Sequence, residues 1–141
     1  MNKRMLPSVH RLVTIACAGL SILAANIASA QSARPGVGAT PYLSPLPAGT
    51  TFRVWAPNAS AVRVAGTFNA WNATSHPLVS EGNGYWSADI NFVYAGAQYK
   101  YVITGPASTV WKNDARARQL TNSVGNSIVV NSSAYTWTTV N

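Results

Sequence analysis

The residues of this chain best suited to chemistry lie in the hexapeptide GTFNAW, residues 66–71, between a β-type run and a polar loop. Glycine at position 66, just before a bend, allows a positive φ without a steric cost, and the Asn69 side chain can bond its own backbone to close a turn. Phe68 can then point back into a core while Trp71 is carried outward as a flat apolar platform with one N–H donor. Such a platform suits the apolar face of a sugar ring. A core position for Trp71 at a strand end is the open alternative, because aromatic residues dominate cores as well as binding sites.

Acid–base, nucleophilic and metal chemistry find little support. Beyond residue 30 the chain has three acidic residues, Glu81, Asp89 and Asp114, and a single histidine, His76. Hydrolysis of a glycosidic bond normally needs two carboxyl groups facing one bond, and nothing in the sequence pairs these three. One loop histidine without any cysteine favours neither a catalytic triad nor a metal site. We therefore predict no catalytic residue, no metal ligand and no cofactor.

Short β-type segments must position the candidate residues. The sequence alternates between apolar and polar residues in short runs, turn signals separate these runs, and no helical periodicity follows the N-terminal segment. The clearest runs are residues 51–56, 61–65, 85–90, 98–103, 109–112 and 127–130. Six or seven short strands at spacings of about 8–12 residues predict an all-β sandwich. In the fourth run Tyr99, Tyr101 and Ile103 share one side, so Lys100 on the other side points away from their core.

Residues 1–30 are typical of a secretory signal peptide. Three basic residues precede an uncharged apolar run over residues 12–25, and a small-x-small cleavage pattern ends at Ala30. The apolar run is short for a membrane span, and the residues around Cys17 do not match a lipidation site. We expect cleavage after Ala30 and a secreted or periplasmic chain that is not attached to a membrane.

The remainder of the chain divides into a linker and one domain. Residues 31–47 are expected to form a flexible linker, because Pro and Gly recur there without periodicity. The sandwich is predicted over residues 48–137, with a tail at residues 138–141. Seven of the ten Lys and Arg and all three acids lie beyond residue 30, so cleavage lowers the formal net charge from +7 to +4. These charges are scattered, so we expect no nucleic-acid partner. Cysteine is absent beyond residue 30, and the domain must fold without disulfides.

Five motifs follow one another in the order of a known family: FRVWAPNA at 52–59, GTFNAW at 66–71, GYW at 84–86, GAQYKY at 96–101 and GNSIVV at 125–130. Together they resemble the family 48 carbohydrate-binding module, which precedes the barrel in glycogen branching enzymes and isoamylases. The glycogen-binding domain of the AMP-activated kinase β subunit is similar. The resemblance covers roughly residues 48–137 and implies an immunoglobulin-like (early-set) β-sandwich of about seven strands.

The resemblance also implies a sugar-binding site. Trp71 and Trp111 would stack on glucose rings, while Lys100 and Asn126 would hydrogen-bond to sugar hydroxyls. Plainer alternatives remain for two of these: Lys100 as an ordinary solvated lysine, and Asn126 as a turn former. The kinase domain carries an apolar residue and a threonine just before the matching asparagine, and this chain departs from that pattern. A lower affinity is expected from the departure.

Three functions follow as hypotheses. The first is a secreted, non-catalytic module that binds α-1,4-glucans such as glycogen, starch or maltodextrin. The second is an accessory domain or fragment of a glycoside hydrolase family 13 enzyme, which packs on a catalytic barrel through an exposed apolar patch. The third is a protein-binding immunoglobulin-like module, which the motifs favour least. Trp55 and Trp86 are interpreted as structural in all three.

Overall fold

The computed structural model describes residues 30–132, which form eight short strands and one 3-10 turn. The strands are β1 Gly38–Tyr42, β2 Gly49–Trp55, β3 Ala61–Gly66, β4 Pro77–Ser80, β5 Tyr85–Asn91, β6 Gln98–Thr104, β7 Thr109–Lys112 and β8 Ser127–Ile128. The 3-10 turn, Thr67–Asn69, directly follows β3. Within residues 30–132 no helix is long and apolar enough to cross a membrane.

All strand pairs are antiparallel, in the order β1–β2–β5–β4–β3–β6–β7. The short strand β8 pairs with the start of β6, on the edge that β7 occupies further along. Two residue pairs join β4 to β3 and two join it to β5, so β4 links a first sheet (β1, β2, β5) to a second sheet (β3, β6, β7, β8). The sheets curl around one core as the predicted immunoglobulin-like sandwich.

The core lies between the inner faces of the two sheets and is rich in aromatic residues. Phe52 and Tyr101 are fully buried, and Tyr99 is 1% exposed. The Phe52 and Tyr99 ring centroids are 5.0 Å apart in an edge-to-face arrangement, and Tyr99 and Tyr101 are 5.8 Å apart. This confirms the predicted alternation in β6.

The buried Tyr99 hydroxyl donates to Asp114 Oδ2 at 2.6 Å. Burial, and then the Asp114 carboxylate, raise the pKa of Tyr99, so its hydroxyl stays protonated.

The flexible linker predicted over residues 31–47 is wrong for much of its length. Residues 38–42 form strand β1, and Ser32 is 6% exposed. The guanidinium of Arg53 donates to the carbonyl oxygens of three residues of this segment, Ser32, Arg34 and Gly36. Its Nε also binds the Glu81 carboxylate at 2.7 Å. A long-range contact of this kind orders a segment without local periodicity, so the sequence pattern did not reveal it.

Two strands escaped the sequence pattern, β1 and β4. Both contain proline, which in a sequence usually indicates the end of a strand. Pro41 nevertheless lies in edge strand β1, and Pro77 is the first residue of β4. Proline is tolerated at these two places because no central ladder hydrogen bond is lost. The predicted signal peptide and C-terminal tail, with Trp137, lie outside the described residues, and their boundaries stay predictions.

Candidate functional site

The turn that carries Trp71 has an unusual backbone. Gly66 is extended, at φ −171°, whereas Ala70 and Trp71 are both left-handed, at φ 51° and 60°. Each left-handed non-glycine residue costs on the order of 1–3 kcal/mol and persists only where its surroundings hold it. The Trp71 N–H donates to the Gly66 carbonyl at 2.8 Å, and Asn69 Oδ1 accepts from the Gly66 N–H at 2.9 Å. Strain concentrated at an outward tryptophan points to a functional position.

Glycine is required at position 66 for a different reason from the one expected. The expected role was a positive φ, but the backbone there is extended. A Cβ atom on Gly66 would instead lie 2.2 Å from the Gln98 carbonyl oxygen and 2.6 Å from Phe68 Cε1. The close approach lets the turn settle against β6 while Phe68 packs toward Phe52, with ring centroids 5.7 Å apart. The inward position predicted for Phe68 is therefore confirmed.

Trp71 and Trp111 lie side by side at the surface. Their ring centroids are 6.5 Å apart, and the ring planes are inclined by 41°. Trp111 is 44% exposed on edge strand β7, as expected for a surface residue, and Trp71 is partly buried. The two inclined rings form an aromatic pair at the surface, and neither ring belongs to the core cluster. The alternative of Trp71 as a core residue does not hold.

Lys100 lies on the same face as Trp111. Trp111 pairs with Val102 across the β6–β7 ladder, and Lys100 is two residues from Val102 on β6. Opposed residues, and residues two apart on one strand, share a face of the sheet. Lys100 pairs in turn with Ala65 of β3. We name the outer side of β3, β6 and β7 that carries Trp71, Lys100 and Trp111 the tryptophan face.

Apolar residues underlie this face. Val102 is 2% exposed and Ala65 is fully buried, yet neither belongs to the core cluster between the sheets. Side chains of the tryptophan face must therefore cover them, and Trp111 stands directly opposite Val102. Trp111 therefore packs over Val102 on one side and remains 44% exposed on the other.

Asn126 joins the tryptophan face through a residue that the sequence reasoning missed. Its Nδ2 donates to Gln98 Oε1 at 2.9 Å, and Gln98 lies two residues before Lys100 on the same side of β6. The Asn126 backbone also closes a turn, since its N–H donates to Thr121 Oγ1 and its carbonyl accepts from the Thr121 N–H, both at 2.9 Å. Asn126 thus forms a turn and also faces the candidate site. The Gln-x-Lys alternation in β6 was the available signal for Gln98.

The acidic residues hold the fold together at other places. Glu81 binds Arg53; burial alone would raise the pKa of Glu81, but hydrogen bonds with Ser87 and Arg53 hold it below its usual value. Asp89 accepts from the hydroxyls of Ser32 and Thr51, each at 2.6 Å.

Asp114 accepts from the Tyr99 hydroxyl at 2.6 Å and from the Arg116 N–H at 2.8 Å. Within the described residues, no group of three or more His, Cys, Asp or Glu could hold a metal ion.

A second surface feature surrounds Trp55. The interpretation of Trp55 as structural is wrong, because its side chain is 61% exposed. It lines an open groove of about 450 Å³, whose other walls include Pro57, Ile103, Pro106, Val110 and Lys112. We name this the Trp55 groove. Trp86 does have a structural role, since it packs against the core and its Nε1 donates to the Ala56 carbonyl at 3.1 Å.

An inclined pair of tryptophans beside a lysine and an amide, on one face of a β-sandwich, is the arrangement expected of a carbohydrate-binding module. The chain belongs to the family carbohydrate-binding module 48 (isoamylase N-terminal domain), whose model matches residues 37–117. This confirms the resemblance drawn from the five motifs, and it extends the module into the segment that was expected to be a linker.

Similar proteins include 1,4-alpha-glucan branching enzymes and a pullulanase, which are much longer than this chain. The chain is 46% identical over 103 residues to a 1,4-alpha-glucan branching enzyme of Streptomyces coelicolor, covering 72% of this chain and 13% of that one. A branching enzyme of Corynebacterium jeikeium is also 46% identical over 92 residues, covering 63% and 13%. The crystal structure of Klebsiella pneumoniae apo pullulanase matches with a TM-score of 0.56 and 28% identity, covering 69% and 11%. The chain thus spans about 13% of these branching enzymes and corresponds to their non-catalytic module.

Proposed function

We propose that this module binds α-1,4-linked glucans, such as glycogen, starch or maltodextrin, on the tryptophan face. The observation that carries the proposal is the Trp71–Trp111 pair, with centroids 6.5 Å apart and planes inclined by 41°. Consecutive glucose units of a curved α-glucan can stack on two inclined rings, whereas a flat β-linked chain would meet only one. The names of the related branching enzymes and pullulanase agree with this class of ligand.

Lys100 and Asn126 would set the orientation of the bound glucan. Ring stacking supplies most of the apolar contact, but it does not distinguish one sugar hydroxyl from another. The Lys100 ammonium can donate to hydroxyl oxygens, and the Asn126 amide, held by Gln98, presents its own polar atoms in a fixed plane. An open platform of this kind gives weak binding, on the order of 10 μM to 1 mM, or about −4 to −7 kcal/mol.

Calorimetric titration tests the proposed ligand class. The chain is titrated with β-cyclodextrin, with glycogen and with a β-1,4-linked cello-oligosaccharide of similar length. We expect binding of the two α-linked ligands and none of the cello-oligosaccharide. Equal binding of all three would show that the site does not select α-linked glucans, and binding of none would remove the proposal.

We further propose that residues 1–30 export the protein, with cleavage after Ala30. The basic start, the apolar run and the Ala28-Ser29-Ala30 pattern support this proposal. Expression of the chain in a Gram-negative bacterium, followed by N-terminal sequencing of the periplasmic and medium fractions, tests it. A product that begins at Gln31 is expected. A cytoplasmic product that retains residues 1–30 would contradict it.

The Trp55 groove favours a second candidate function, which is packing against the catalytic domain of a glycoside hydrolase family 13 enzyme. The groove has mainly apolar walls and an exposed tryptophan, a combination that suits contact with another protein surface. This function predicts self-association and weak stability for the isolated chain. Light scattering and urea unfolding measure both, and a monomer with a cooperative transition would favour glucan binding as the role of the separate module.

A further inference from the structure

One side-chain amide holds the turn that carries Trp71. Asn69 Oδ1 accepts from the Gly66 N–H at 2.9 Å, and Asn69 Nδ2 donates to the Val64 and Asn72 carbonyl oxygens at 3.2 and 3.3 Å. A backbone N–H can only donate and a carbonyl can only accept, so these contacts fix which end of the amide is oxygen. The orientation of Asn69 therefore follows from its backbone partners.

His76 holds this amide from the other side. Its Nδ1 lies 2.9 Å from Asn69 Nδ2, closer than the oxygen partners of that nitrogen, which lie at 3.1 to 3.3 Å. Asn69 Nδ2 can only donate, so this contact is a hydrogen bond when His76 Nδ1 carries a lone pair rather than a proton. Ser75 Oγ accepts from Asn69 Nδ2 at 3.1 Å and lies 2.8 Å from the same Nδ1, so the hydroxyl and the Asn69 amino group share the one lone pair of Nδ1. The arrangement fits a neutral imidazole that is protonated on Nε2.

We propose that neutral His76 is a positioning residue for the sugar platform: it holds Asn69, Asn69 holds the left-handed turn, and protonation of His76 Nδ1 loosens Trp71. An imidazolium would aim an N–H at this pair, and the Ser75 hydroxyl oxygen could accept it but the Asn69 amino group could not. The Asn69 nitrogen would then lose its nearest acceptor. This inference rests on the proposed glucan site, and it makes glucan affinity depend on pH.

The surroundings of His76 make the neutral form the stable one. The Phe68 ring packs edge-on against the imidazole at 5.6 Å, and the Val64 N–H donates to the His76 carbonyl at 3.0 Å. The groups that face the ring from β3, the turn and the 72–75 loop are Phe68, Asn69 and Ser75, none of which is charged. Arg63 pairs with the neighbouring Pro77 and so lies on the opposite face of the strand pair.

Burial lowers the pKa of His76 from its ordinary value of 6.5. The folded form thus binds its proton less readily than the unfolded chain does. The contribution of His76 is complete above pH 6.5 and is lost as the pH falls through the lowered folded value. Affinity for glucan should follow the same curve.

Binding of β-cyclodextrin to the full chain is measured at pH values on both sides of the His76 midpoint, which is located from its imidazole NMR signals. We expect affinity three- to tenfold weaker below the midpoint. His76→Phe keeps the edge-on ring contact but removes the acceptor, and it should bind weakly at every pH. His76→Asn keeps an acceptor near the Nδ1 position without titrating, and it should bind like the native chain at every pH.

A second measurement does not need the sugar. The Trp71 backbone N–H bonds the Gly66 carbonyl across the turn, so its exchange protection, corrected for the intrinsic pH dependence of amide exchange, should fall below the His76 midpoint while that of buried Tyr101 stays unchanged. Absence of glucan binding at pH 7.5 would remove the proposed function, and exchange would still test the positioning role. Affinity and exchange that stay constant across the midpoint, or native behaviour of His76→Phe, would overturn the role of His76.

Discussion

The tryptophan face and the Trp55 groove both display exposed tryptophan, and strand β7 separates them. In β7, the side chain of Trp111 lies on the tryptophan face, and those of Val110 and Lys112 line the Trp55 groove. On the first side, two rings are inclined at a fixed spacing beside Lys100 and the Gln98–Asn126 amide pair. On the second side, one ring stands among proline and aliphatic walls.

Under the proposed function, this difference implies that an exposed aromatic ring alone does not make a sugar site. A sugar needs an apolar platform together with polar groups that match its hydroxyls, and both must be held before binding. The tryptophan face supplies the polar groups and the rigid support, including a strained turn fixed by Asn69. The Trp55 groove supplies mainly apolar area, which suits a protein surface better than a polyhydroxylated chain.

The largest expected difference between the two regions is in the loss of stability when a glycine of each region is replaced by alanine. A Cβ on Gly66 would lie 2.2 Å from the Gln98 carbonyl oxygen, so Gly66→Ala should lower the free energy of unfolding by about 2–3 kcal/mol. Gly105, which lines the Trp55 groove, has its nearest such atom at 3.8 Å, so Gly105→Ala should change it by less than about 0.5 kcal/mol. Urea unfolding measures both. Equal effects would mean that the turn does not depend on this close approach.

Opposite sides of β7 offer the next comparison. Trp111→Ala removes half of the aromatic platform and should weaken β-cyclodextrin binding about tenfold, which corresponds to about 1.4 kcal/mol. Val110→Ala shortens the neighbouring side chain on the groove side and should leave binding within about twofold. Calorimetry compares the two variants. A larger loss from Val110→Ala would move the site to the other side of the strand.

Substitution of one lysine on each side of β7 should give a smaller difference in glucan affinity. Lys100→Met keeps the length of the side chain but removes its donors, and it should weaken glucan binding about three- to fivefold through one lost hydrogen bond of about 1 kcal/mol. Lys112→Met, in the Trp55 groove, removes the same charge and should have no measurable effect. If both variants lose affinity equally, the effect comes from net charge rather than from contact.

Gln98 should have the smallest effect. Gln98→Leu removes the partner of the Asn126 amide without changing the tryptophan rings, and affinity should fall about twofold. Asn126→Ala combined with Gln98→Leu should cost no more than Asn126→Ala alone, because Gln98 acts through Asn126. Additive losses in this double-mutant cycle would show that Gln98 contacts the sugar directly.

Much of the sandwich and of the candidate site could be predicted from the sequence. Alternation in β6 separated buried Tyr99 and Tyr101 from outward Lys100, because a side-chain period of two is a local property. The family resemblance indicated Trp71 and Trp111, and the structure brings their rings together.

The remainder depends on contacts between distant parts of the chain. The Arg53 guanidinium orders residues 32–36 from nearly twenty positions away. The role of Gly66 depends on the Gln98 carbonyl across the β3–β6 ladder. Trp55 was wrongly interpreted as structural because the alternation of apolar and polar residues does not show which end of a strand other elements leave exposed to solvent.

The most direct test compares two exposed tryptophans in one calorimetric experiment. Native chain, Trp71→Ala and Trp55→Ala are titrated with β-cyclodextrin and with glycogen at pH 7.5. We predict binding between about 10 μM and 1 mM for the native chain and for Trp55→Ala, and loss of binding for Trp71→Ala. A Trp71→Ala variant that folds and keeps native affinity, or a loss confined to Trp55→Ala, would contradict the assignment of the glucan site to the tryptophan face.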